Sequence, residues 1–125
     1  MIKVDAVANA PAPRVWGILT DTTQWPLWGP SVSKVEHRGA LLHKNSQGRI
    51  RLPFGLWLPF EVSTFQKGHY FSWRVAGVPA TGHRVEALDD KRSRIIFEVP
   101  TIAAPYALIC KKACYSIARL AEGES

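Results

Sequence analysis

Among the polar side chains that strand alternation turns inward, His37 and His83 are the ones suited to moving a proton near neutral pH, and Tyr106 is a further candidate through its hydroxyl. His37 has Lys34 and Glu36 nearby at opposite parity, and His83 is flanked by Arg84 and Glu86. Successive strand residues point to opposite faces, so if the charges face water both imidazoles face inward. Imidazole titrates close to physiological pH, which suits proton transfer to or from a bound molecule. His83, alone or with His37, is therefore a candidate catalytic group. No inward carboxylate is evident to orient either ring, and a core histidine making one hydrogen bond has the same pattern. Tyr106 lies on the apolar side of a helical pattern, where its hydroxyl could meet a ligand carbonyl.

Other chemistries find little support. Cys110 and Cys114 are four residues apart, but no nearby Cys or His completes a zinc-like set, and two cysteines do not make a disulfide framework. Reduced core thiols and no metal are expected. Neither a glycine-rich phosphate loop nor a Ser-His-Asp or Cys-His signature is present, and no cofactor is expected. Sixteen basic and ten acidic residues give a net charge of +6. That charge would favour anionic partners if it were gathered on one face. Arg49, Arg51, Arg74, Arg84 and Arg94 instead alternate along strands, as expected for the solvent side of a sheet, so nucleic acid is not expected as a partner. No stretch approaches the roughly 20 apolar residues of a membrane span, and Met1 to Asp5 lack the apolar core of a secretion signal, so a cytoplasmic location is expected.

The elements that must position these groups follow from periodicity. Hydrophobic residues make up 46% and charged residues 21%, ordinary values for a globular protein, and residues 1–125 are expected to form one domain. Alternation predicts a strand over residues 2–8, and Pro11 and Pro13 open a short helix striped by Val15, Trp16, Ile18 and Leu19. Asp21 is placed to cap a second helical turn over residues 22–25, which Pro26 is expected to end. Six more strands follow, over residues 32–38, 47–52, 56–66, 69–76, 81–88 and 93–99, joined by links short enough for an antiparallel meander. Residues 103–122 return to helical spacing, with Tyr106, Ile109, Cys110, Ala113, Ile117 and Leu120 on one side and Gly123 as the stop. The fold class is α+β, a curved antiparallel sheet around a long C-terminal helix, with two short helices after the first strand.

Parity also sorts the faces. Val35, Ile50, Leu52, Phe60 and Val62 point inward, as do Phe71, Trp73, Val75, Val85 and Ala87, and Ile95, Phe97 and Val99. From the sheet, the candidate ligand contacts are His37, Ile50, Phe60 and Val62, together with Phe71, Trp73, His83 and Val85. The helix adds Tyr106, Ile109 and Cys110, and Trp25 and Trp28 are placed at an entrance. A packed interior would show the same pattern. The segment Leu52 to Phe60 is apolar where a hairpin turn should be polar. It either folds back onto the core or serves, in order of expectation, as a lid over a cavity mouth, a dimer contact or a membrane contact.

The opening third, with Val4-Asp5-Ala6, Ala10-Pro11-Ala12, Val15-Trp16, Leu19-Thr20-Asp21 and the run from Trp25-Pro26 through Trp28 and Pro30 to Val32, resembles the polyketide cyclase/dehydrase family of the SRPBCC (START-like) superfamily. The aromatic strand at Phe71-Ser72-Trp73, the strand with Gly82-His83-Arg84-Val85 and the closing helix extend the resemblance over nearly the full length. It implies the helix-grip fold, seven strands gripping the last helix, and a cavity for a hydrophobic molecule such as a lipid, a polyketide-like aromatic or an isoprenoid. The alternatives are a cyclase or dehydratase using His83, and an interaction module acting on a membrane or a protein through residues 52–60. The family carries no universal catalytic motif to transfer.

Overall fold

A computed structural model describes residues 1–123. The chain runs β1 (Ile2–Ala8), α1 (Ala12–Thr20), a 3-10 turn (Thr22–Gln24), α2 (Trp25–Trp28), β2 (Lys34–His37), β3 (Gln47–Arg51), β4 (Trp57–Gln66), β5 (Tyr70–Val75), β6 (Val78–Asp89), β7 (Arg92–Val99), a second 3-10 segment (Thr101–Tyr106) and α3 (Ala107–Ala121). The seven strands form one curved antiparallel sheet in the order β1-β7-β6-β5-β4-β3-β2. The strands from β2 to β7 are a meander, and β1 completes the sheet against the last strand. Register shifts at Val62/Thr64, Ser72/Arg74 and Ala87/Asp89 put bulges into the longer strands, and bulges bend and twist a sheet.

The bent inner face holds α3. Its buried stripe is Cys110, Ala113, Cys114, Ile117, Ala118 and Ala121, so the gripped face is rotated from the expected one: Ile109 is exposed and Leu120 only half-buried. Small residues on this stripe let the helix lie close to β1 and β7. Lys111 Nζ donates to the Asp5 carbonyl, and Arg14 Nε donates to the Ala121 carbonyl. The first bond ties α3 to β1. The second ties it to α1 and satisfies a carbonyl that the helix end leaves unpaired.

Three local expectations are corrected. The closing helix does not run unbroken from residue 103, because Ala103 takes φ −100° and ψ 25° and Pro105 lies within the 3-10 segment. Proline has no amide to donate and disfavours helical backbone before it, so regular α-helix starts only at Ala107. Pro26 does not end a helix. It occupies the first turn of α2, where a missing amide costs nothing, and Trp25 and Trp28 are accordingly buried helical residues rather than loop residues. Ala87 is exposed, because β6 runs past the gripped helix and bulges there. Asp21 caps as expected: its carboxylate accepts from the Thr23 amide at 3.0 Å and from the Thr23 hydroxyl at 2.6 Å. Burial acts to raise its pKa, but the bonds from Thr23 and Gln24 outweigh that and hold it below its usual value.

Candidate functional site: an apolar cavity under the C-terminal helix

Between the sheet, α2 and α3 lies a cavity of about 590 Å³. Its deep wall is Phe71, Trp73, His83 and Phe97, contributed by three neighbouring strands whose inward positions are in register. Trp25 and Trp28 of α2 form one side, and Ile109, Cys110 and Ala113 of α3 the roof. Ala113 matters because a methyl group there leaves open space that a larger residue would fill. Pro30, Ser31, Pro53 and Phe54 also line it, with Tyr106, the last residue of the 3-10 segment before α3. Among the described residues, no Lys, Arg, Asp or Glu lines the space.

The polar side chains in the wall are largely spent on one another. His83 Nδ1 lies 3.2 Å from the Phe71 carbonyl, which can only accept, so the neutral ring carries its proton on Nδ1. Nε2 is then an acceptor, and the Thr81 hydroxyl donates to it over 2.8 Å while receiving the Trp73 indole N–H at 3.0 Å. The relay from Trp73 through Thr81 and His83 to the Phe71 carbonyl leaves no free lone pair on the imidazole. The ring is 3% exposed, stacked on Phe71 at 4.2 Å and edge-on to Phe97 at 4.6 Å. Burial pushes its pKa down to about 3, with the Phe71 carbonyl acting in the opposite direction, so it stays neutral at physiological pH. Trp25 donates to the Leu19 carbonyl at 2.9 Å. Tyr106 bonds Ser31 across the rim, and burial raises its pKa. Burial also raises the Cys110 thiol to about 11 and the Cys114 thiol to about 12, so neither is a thiolate near neutral pH. Trp28 Nε1 is buried without a hydrogen-bond partner; its ring meets Phe97 near-perpendicularly at 5.9 Å and Trp25 at 6.4 Å.

Nine of the expected contacts border this space: Trp25, Trp28, Ile50, Phe71, Trp73 and His83 on the sheet and α2 side, Tyr106 at the end of the 3-10 segment, and Ile109 and Cys110 on α3. Four do not. Phe60, Val62 and Val85 point inward but are consumed by packing in the core. The Phe60 ring, laid over Gly48, contacts Trp25 at 5.4 Å and Trp73 at 5.5 Å. His37 does not line the space: its ring stacks on Phe60 at 6.1 Å and lies 5.6 Å from His43, and it donates from Nδ1 to the Gly39 carbonyl at 2.9 Å. It cannot pair with His83, because parity gives the face of a residue and not its depth along the sheet. Leu52, Val75 and Phe97, inward by alternation, also line the cavity, as do Val32, Leu58 and Ala80. Ser31 lies in a proline-flanked loop with no periodicity, and nothing in the sequence marks it.

The arrangement can enclose an uncharged apolar molecule. Among the described residues it presents no ionised nucleophile and no accessible base to it, and no group of three or more His, Cys, Asp or Glu side chains comes together to hold a metal ion.

Solved structures share this architecture. The Zhui aromatase/cyclase from a Streptomyces species superposes with a TM-score of 0.72 at 14% identity, over 97% of this chain and 92% of that one. The di-domain aromatase/cyclase StfQ of the steffimycin biosynthetic pathway gives 0.74 at 16% identity, over 98% of this chain and 45% of that one. A protein from Chromobacterium violaceum gives 0.66 at 18%, over 97% and 96%. At these identities the likeness is one of fold. No curated protein matches the sequence significantly. The model of the family described as polyketide cyclase/dehydrase and lipid transport matches residues 1–105, a span that includes every strand and the tryptophans of the cavity, and the chain belongs to that family.

Proposed function

We propose that the protein binds a neutral, largely hydrocarbon small molecule, a lipid, an isoprenoid or a weakly polar polyketide-like aromatic, in the space under α3. The observation that carries this is a cavity of about 590 Å³ with no charged lining residue among the described residues, large enough for a small organic molecule. Affinity would come from apolar burial, at about 25 cal/mol per Å² removed from water. Trp25, Trp28 and Trp73 border the space, so an occupant should change intrinsic fluorescence.

The test is titration with the neutral probe N-phenyl-1-naphthylamine, alongside native mass spectrometry of freshly purified protein. Saturable binding is expected, and Ala113→Phe, which fills the roof, should weaken it by at least about tenfold, or roughly 1.4 kcal/mol. Absence of binding by the wild type, together with absence of a copurifying apolar molecule, would overturn the proposal.

The cyclase or dehydratase alternative is supported by the family and by the fold shared with two aromatase/cyclases. The Thr81 bond to Nε2 weighs against His83 as its base. Should a polyketide-like substrate turn over, retention of kcat in His83→Gln would remove that residue from the chemistry.

A further inference from the structure

The turn between β3 and β4 presents groups that the cavity does not use. Phe54 borders the cavity mouth yet is 78% exposed, and Leu56 on the same turn is 50% exposed. Near lining residues in sequence, Leu108, next to Ile109, and Ile102, on the 3-10 segment leading to Tyr106, are 81% and 96% exposed. Apolar side chains left in water on a turn that borders an opening, as Phe54 and Leu56 are, mark a contact surface.

The charges beside the turn indicate what it contacts. Lys34 and Arg51 stand opposite each other at the end of the β2–β3 ladder nearest the turn, both exposed, and like charges so placed weaken a sheet. Two residues along the same ladder, Glu36 and Arg49 form an ion pair. Neither Lys34 nor Arg51 has an acidic side chain within ion-pair distance among the described residues. The Arg51 guanidinium lies over Gly55, where an added Cβ would come within 3.4 Å of Nη2, so this cation sits beside the Phe54 tip. A second copy docked symmetrically on this face would bring these cations toward their own copies.

We infer that the cavity mouth docks on an anionic lipid bilayer, with Phe54 and Leu56 of the turn entering the headgroup boundary and Lys34 and Arg51 binding headgroup phosphates. Exchange of an apolar molecule at such a contact would bypass water, a consequence that rests on the proposed function; the surface itself does not. Cosedimentation of the full chain with phosphatidylcholine vesicles, with and without phosphatidylglycerol, tests it without any added cavity ligand. Binding is expected to the anionic vesicles and to weaken as salt rises. Phe54→Ser should lower the partition coefficient about tenfold. Lys34→Gln with Arg51→Gln should lower it about twentyfold on anionic vesicles and leave any binding to neutral ones unchanged. These side chains are exposed, and circular dichroism should show the fold retained. The inference is overturned if anionic vesicles are not bound, if neither variant weakens binding, or if sedimentation shows a dimer that Phe54→Ser dissociates. None of these outcomes bears on whether the probe enters the cavity, which is measured separately.

Discussion

His83 looks from its neighbours like a proton-transfer group and behaves in the fold as a neutral strut. Its folded pKa of about 3 lies below the value near 6.5 of an exposed histidine. Between those values the unfolded chain holds a proton that the native state does not, so this contribution to stability is complete above about pH 6.5 and declines as the pH falls toward 3. Over the whole window it amounts to at most about 5 kcal/mol. Urea midpoints measured from pH 7 to pH 4 should fall more steeply for the wild type than for His83→Gln; parallel slopes would refute the buried neutral ring. Thr81→Val removes both the donor to Nε2 and the acceptor for the Trp73 indole, and should cost about 2–4 kcal/mol at pH 7, read as a shift in the same midpoint.

At the scale of the element, glycines separate close packing from mere flexibility. A Cβ on Gly48 would lie 2.3 Å from the Glu36 carbonyl oxygen and 2.8 Å from the Phe60 ring. Neither backbone nor a ring wedged between Trp25 and Trp73 can yield cheaply, so Gly48→Ala should destabilise by about 1–3 kcal/mol. Gly17 lies inside α1 with nothing within 4 Å of the added atom, and Gly17→Ala should stabilise by about 0.5–1 kcal/mol through helix propensity. Thermal or chemical melts of the two variants should shift in opposite directions. Both strand parity and the helix start at Pro11 were legible because each depends on neighbours a few residues apart. The late start of α3 was less so, since Pro105 signals a break but the apolar stripe runs on through it, and only the backbone at Ala103 shows which prevailed.

For the whole molecule, an occupant that binds only the native state raises its stability by mass action, by about 2.7 kcal/mol at one hundred times the dissociation constant. Melting temperature should therefore climb with N-phenyl-1-naphthylamine concentration in the wild type and hardly at all in Ala113→Phe. Equal shifts in both would place the probe outside the space under α3. No helix among the described residues is long and apolar enough to cross a membrane.

Alternation and helical spacing determined, without coordinates, that seven strands form, apart from their exact ends, which face of most of their residues turns inward, and that an amphipathic helix follows them, because these properties arise from the 2.0 and 3.6 residue periods of the backbone itself. The motif-rich first third added the family and with it the helix-grip arrangement. Tertiary structure alone decided which inward residues border space and which fill it. Phe60, Val85 and Phe71 share one pattern, and only their depth in the bent sheet, and the small residues of α3 above them, makes Phe71 a wall and the other two core. It alone also set the role of His83, since the Thr81 hydroxyl and Phe71 carbonyl that occupy its two nitrogens are brought there by side-chain and strand geometry that parity does not encode.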